Sequence, residues 1–159
     1  MEKQTTKSTS RPDSSRRMQR IFAFQVLYSL NFTPSLEILE KTFERFQKEL
    51  FPGRAGKEAF ARSIVHGVWN NLESLNEIIS SYSKNWRIQR IARIELTILR
   101  LAVYEMLYSP DIPIKVAINE AIELAKAFGD ENSRNFVNGI LDAVARDTRN
   151  GKFGISKGF

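Results

Sequence analysis

Residues 87–108 read RIQRIARIELTILRLAVYEMLY, and the spacing in this stretch decides the fold. One stripe at helical spacing is Ile91, Ile94, Ile98 and Leu101, and a second is Leu96, Leu99, Val103 and Met106. Residues three and four apart share a helix face. The segment is therefore a helix apolar on two faces, and such a helix is buried on two sides. A third stripe, Arg90, Arg93, Thr97 and Arg100, is polar. It is either a solvated face or a contact surface. The rest of the chain is then expected to pack as a helical bundle around this central segment.

The flanking sequence agrees. Pro110 and Pro113 break the chain, and a helix over about 115–128 follows, ended by Gly129 as a C-cap. A last helix begins at Asn132 or Ser133, runs to about Asp147, and turns Phe136, Val137, Ile140, Leu141 and Val144 inward. Upstream, one long helix is expected over about 57–82, with Phe60, Ile64, Val68, Leu72, Leu75, Ile78 and Ile79 on its apolar side. Another starts near Thr33-Pro34-Ser35, with Pro suited to the first turn. It turns Leu36, Leu39, Phe43, Phe46 and Leu50 inward and stops at Phe51-Pro52-Gly53. The first helix starts near Ser14 or Ser15 and carries Met18, Ile21, Phe22, Gln25, Val26 and Leu30 at spacings of one, three and four. No strand alternation and no internal repeat is evident. The fold class is all-α with six to seven helices. Residues 1–13 read as a disordered basic tail, 14–148 as the helical domain and 149–159 as a flexible basic tail.

Composition narrows the function. The chain has 159 residues, no Cys and one His, His66. Disulfides, thiol nucleophiles, Cys-ligated zinc and multi-histidine metal sites are excluded. No apolar run approaches the ~18 residues of a membrane span and no signal peptide is evident, so the expected location is cytoplasmic. The net charge of +6 lies at the ends. Residues 1–20 carry a net +4, residues 149–159 a net +3, and the remaining 128 residues a net −1. Localised positive charge points to a polyanion, either nucleic acid or a membrane surface, with a solubilising tail as the plain alternative.

Signatures of chemistry are nearly absent: there is no phosphate loop, dinucleotide fingerprint, nucleophile elbow or zinc-protease motif. His66 lies mid-helix beside Gly67, where a structural or surface role is the ordinary reading. Glu120 and Glu123 share a helix face, but no His accompanies them, so a solvated face with Glu123 near Lys126 fits better than a metal site. The strongest local feature is Arg16-Arg17-Met18-Gln19-Arg20. Three guanidinium groups crowd one helix N-terminus, where the dipole gives them no support. Arginine makes bidentate phosphate contacts and stacks on bases. The second feature is Gly129-Asp130-Glu131-Asn132-Ser133-Arg134-Asn135-Phe136, where free backbone N–H groups can meet a phosphate and Arg134 adds charge. Phe136, Tyr28 and Tyr82 are each either buried aromatics or stacking platforms.

Three stretches carry a resemblance: ILRLAVYE at 98–105, IPIKVAINEAIELAK at 112–126 and NFVNGILD at 135–142. Together they resemble the NusB transcription antitermination family. Residues 16–28 are similar to that family's arginine-rich first helix, and Trp86 to a tryptophan before its fifth helix. The resemblance spans about residues 16–147. It implies two small packed helical subdomains and binding of boxA-type RNA. It also implies a partner, NusE, which is a small-subunit ribosomal protein, and an RNA polymerase antitermination complex that promotes ribosomal RNA transcription. By position, the resemblance assigns RNA contacts to Arg16, Arg17, Arg20, Tyr28, Tyr82, Asn132 and Phe136. Arg134 joins them on charge. Met18 departs where some members have another Arg. The resemblance assigns partner contacts to Glu95 and to Ile114, the latter standing where some members place Tyr. Some members are homodimers. No cofactor, metal, catalytic residue or membrane is expected. Two other readings stand beside this one: a helical protein-interaction module without RNA binding, and a membrane-surface protein using residues 16–30 as a basic amphipathic helix.

Overall fold

The computed structural model describes residues 16–50, 58–84 and 87–159. Among these it contains seven α-helices and no strand. They are α1 (Arg16–Ser29), α2 (Leu36–Leu50), α3 (Ala59–Asn70), α4 (Leu72–Tyr82), α5 (Arg93–Tyr108), α6 (Ile114–Phe128) and α7 (Glu131–Arg149). The expected tail at 1–13, the stop at residues 51–53 and Trp86 lie outside the described residues.

Helix α5 is the axis. Its two stripes face inward, with Ile98, Leu99, Val103 and Met106 fully buried and Ile94 partly so. It packs against α1 and α3 on one side and α4, α6 and α7 on the other. The first three helices and the last four thus form two sets that share this helix and one continuous apolar core. No helix among the described residues is long and apolar enough to cross a membrane.

Several boundaries differ from expectation, each for a local reason. The long helix over 57–82 is two helices. The Asn71 side-chain amide donates to the Gly67 carbonyl at 2.7 Å, and the Asn71 backbone N–H bonds to Val68, ending α3. Its carbonyl then accepts from Leu75 to start α4. The central segment is a short 3₁₀ turn, Ile88–Arg90, then extended Ile91 and Ala92, then α5. Pro34 precedes α2 rather than entering it, because Ser35 caps that helix through Ile38 N–H at 3.1 Å. Leu36 and Met18, expected inside, are exposed. Helix α7 is capped by neither Asn132 nor Ser133. Asp130 accepts from the Ser133 N–H at 2.9 Å and from its hydroxyl at 3.1 Å.

Residues 149–159, expected as a loose tail, fold back over α5 and α6. Lys157 Nζ donates to the Glu105 and Met106 carbonyls at the end of α5. Gly158 accepts from Ile114 N–H, and the Arg149 guanidinium lies 3.9 Å from the Phe159 ring centroid.

Candidate nucleic-acid interface

The three arginines at the entry of α1 divide by environment. Arg16 and Arg17 have more than half of their side chains exposed. Arg16 donates to Asp111 at 3.4 Å and lies over the Phe60 ring at 4.6 Å. Arg17 grips Glu120 with both Nε and Nη2, at 3.2 and 3.1 Å. That bond holds its guanidinium in the charged form even more firmly than usual. Arg20 is different and corrects the expectation of a third surface cation. It is buried, and its Nε donates to Glu105 Oε1 at 2.7 Å, with Phe60 against the guanidinium. Burial pushes the Glu105 carboxyl above the ordinary carboxylate range, and Arg20 opposes that shift. The self-repulsion foreseen at this helix end is thus relieved by three acids from distant parts of the chain. Sequence spacing carries no signal for these pairs, because the partners are 85 to 103 residues away.

Helix α1 runs alongside α6, with Arg17 against Glu120 at one end and Phe24 against Phe128 at the other. Phe24 and Phe128 are stacked, with centroids 4.6 Å apart, and Tyr28 extends the stack from Phe24 at 5.9 Å. Tyr28 is half-buried, and Phe32 packs edge-to-face against it at 5.5 Å. Phe128 leads through Gly129 into the start of α7, where Asn132 is exposed and Arg134 and Phe136 are partly exposed. Arg134 makes no ion pair among the described residues. Phe136 also packs against the core, so it is a half-buried ring rather than a free platform.

The reading of this loop as an anion receptor is corrected. The Asp130 carboxylate already occupies the N-terminus of α7, and its bond from Ser133 N–H holds it below the ordinary carboxylate range. A helix end filled by its own carboxylate repels a phosphate instead of receiving it.

Tyr82 stands apart. Its hydroxyl donates to Asp147 at 2.6 Å and accepts from Lys152 at 3.2 Å, while Lys152 Nζ lies 4.7 Å from the ring centroid. Asp147 is about 22 Å along α7 from Asn132, at 1.5 Å per residue. Glu95 is half-buried in the first turn of α5. Ile114, expected as a partner contact, is 1 % exposed beneath the returning C-terminal segment. A side chain sealed in the core cannot meet a partner, so that expectation is corrected. His66 bonds to Glu40 at 3.1 Å and helps tie α3 to α2. Glu123 pairs with Lys126 at 3.4 Å.

The NusB family model matches residues 17–146. The transcription antitermination protein NusB of Oleidesulfovibrio alaskensis is 53% identical over 137 residues, which covers 84% of this chain and 89% of that relative. Among solved structures, T. maritima NusB aligns with a TM-score of 0.74 at 39% identity, over 83% of this chain and 91% of that one. A structure of antitermination factors NusB and NusE in complex with dsRNA shares the fold, with a TM-score of 0.74 at 24% identity over 83% of this chain and 96% of that one.

Proposed function

The chain belongs to the NusB family, and we propose that it is a cytoplasmic RNA-binding transcription antitermination factor that acts by binding rather than by chemistry. Its RNA is of the boxA type, its protein partner is NusE, and the pair joins an RNA polymerase antitermination complex that promotes ribosomal RNA transcription. The observation that carries this reading is the face formed by α1 and α6. Two exposed guanidinium groups, Arg16 and Arg17, stand at one end of it, and the stacked aromatics of Tyr28, Phe24 and Phe128 at the other. A single strand is bound by this combination of backbone charge neutralisation and base stacking.

In this reading Arg16 and Arg17 contact phosphates, exchanging the exposed carboxylate of Asp111 and the grip of Glu120 for the RNA. The Arg16–Asp111 pair is exposed on both sides and contributes only ~0–1 kcal/mol, so releasing it is cheap, whereas Glu120 is 15% exposed and losing its bidentate bond to Arg17 is the larger cost. Arg20 acts as a positioning residue, locking the start of α1 to α5 through Glu105. Tyr28 and Phe136 stack on bases, Asn132 and Arg134 line the same edge, and Tyr82 contacts RNA only after Lys152 moves from its ring. Glu95 meets NusE.

One observation favours the second reading, a protein-interaction module without RNA binding: each of the three arginines already has a carboxylate within the chain. The test is a titration of a boxA-type oligonucleotide with and without NusE, beside a scrambled oligonucleotide. Preferential binding of the boxA sequence, tightened by NusE, is the expected result. NusE binding with no RNA binding in either arm would select the module.

A further inference from the structure

A cleft of about 210 Å³ lies where the end of α1, the α3–α4 junction and α5 meet. Its walls are mostly apolar, from Leu27, Leu30, Pro34, Val68, Trp69 and Leu72. Into it reaches Arg100. This arginine differs from the three at the start of α1, because it has no carboxylate partner among the described residues. Its Nε donates to Asn76 Oδ1 at 2.8 Å and its Nη1 to Asn31 Oδ1 at 3.2 Å, both neutral amide oxygens.

The arrangement is held in place. The Asn31 amide nitrogen donates to the Tyr28 carbonyl at 3.0 Å and to the Thr97 hydroxyl at 2.9 Å. Thr97 in turn donates to the Arg93 carbonyl at 2.6 Å. The Asn31 oxygen is therefore aimed at Arg100, and the guanidinium is fixed by two bonds that leave Nη2 without a hydrogen-bond partner among the described residues. Burial lowers the pKa of Arg100, and no neighbouring acid offsets it. A cation taken out of water beside neutral acceptors lacks the counter-charge that usually accompanies it.

We propose that this cleft binds a small carboxylic acid with a flat apolar body, its carboxylate on Arg100 and its body against Trp69, Val68 and Leu72. Guanidinium and carboxylate match in shape and charge. The size suits the class, since an engineered apolar cavity of about 150 Å³ accepts benzene. Inorganic phosphate fits poorly, because apolar walls satisfy none of its remaining oxygens. The cleft adjoins Tyr28 at the end of α1, but nothing in the proposal depends on RNA binding.

The experiment uses the full chain and ¹H–¹⁵N correlation spectra, following the Trp69 indole and Arg100 Nε–H signals. Benzoate is the probe and benzamide its uncharged counterpart. Benzoate is expected to shift both signals saturably with a Kd of about 1 mM or tighter, and benzamide to bind about tenfold more weakly. Arg100→Gln is expected to erase that difference. Leu72→Trp, which fills the cleft and keeps Arg100, is expected to abolish both ligands' effects, so the proposal stays testable if Arg100→Gln unfolds. The proposal is overturned if benzoate does not saturate, or if its shifts cluster at Arg16 and Arg17 instead. It is also overturned if Leu72→Trp, correctly folded, leaves benzoate binding intact. An acidic peptide that binds here where benzoate does not would make the cleft a protein-docking site and end the small-acid proposal.

Discussion

At the scale of single residues, three arginines in five positions do different work. Replacing the exposed Arg16 with Ala is expected to cost within about 0.5 kcal/mol of stability, and replacing Arg17 as well costs more, because the largely buried Glu120 then loses its bidentate partner. The same change should flatten the log–log salt dependence of RNA binding by about 1.4 units, at ~0.7 per phosphate on a single strand. Arg20→Ala leaves the buried Glu105 carboxyl without its cation, a loss of ~3–5 kcal/mol. Melting curves and RNA titrations at several salt concentrations separate the two outcomes, and a flattened slope with unchanged melting for Arg20→Ala would reverse the assignment. Titration adds a second test. Hydrogen bonds from Ser133 and from Tyr82 hold Asp130 and Asp147 below their usual range. Their contribution to stability is complete above the unfolded carboxylate value near about pH 4 and is lost as pH falls through the lower folded values. Asp130→Asn should therefore weaken the fall in melting temperature below about pH 4. Glu105 has the opposite sign. Burial raises its folded pKa, so its contribution is present at low pH and is lost as pH rises through that raised value.

At the scale of elements, α3 and α5 meet through a glycine. A Cβ at Gly67 would run into the Tyr104 ring. Alanine improves helix propensity by ~1 kcal/mol over glycine, yet overpacking a fitted contact costs ~1–3 kcal/mol. Gly67→Ala is therefore expected to lower the melting temperature, and Gly67→Ala with Tyr104→Leu to recover much of it. A stabilised single variant would show that α3 can move away. The start of α7 is the other contested element. Phe136 is half-buried against the core, so Phe136→Ala should cost less than the ~3–5 kcal/mol of a fully buried ring. It should also weaken RNA binding by ~1–3 kcal/mol with the salt slope unchanged. Full loss of folding, or intact RNA affinity in the folded fraction, would return the ring to a purely packing role.

At the scale of the whole molecule, α5 joins two helical sets, and its first turn carries the half-buried Glu95. Glu95→Ala is expected to weaken NusE binding and leave RNA binding by the isolated chain unaltered, as measured by calorimetry with each ligand. Equal loss of both would mean that the variant disturbs α5 itself, which packs against α1, α3, α4, α6 and α7.

Helical period alone determined the all-α class, the central position of α5 and most of the inward faces, because burial on a regular helix is a one-dimensional pattern. Val137, Ile140, Leu141 and Val144 were legible in that way, and so was the placement of charge at the chain ends. The family resemblance was legible too, from three contiguous motifs. What period cannot report is which side chain meets which across the bundle. Helix α3 and helix α4 looked continuous because Asn71 breaks them by a hydrogen bond to Gly67 rather than by a Pro or Gly. Arg20 looked like its neighbours until Glu105, 85 residues away, took it into the core. Ile114 looked available until the C-terminal segment returned to cover it. Arg100 belonged to a polar stripe until packing placed it in an apolar cleft without a counter-charge among the described residues. Those decisions belong to tertiary structure, because burial and pairing of a charge depend on the distant groups that the fold brings to it.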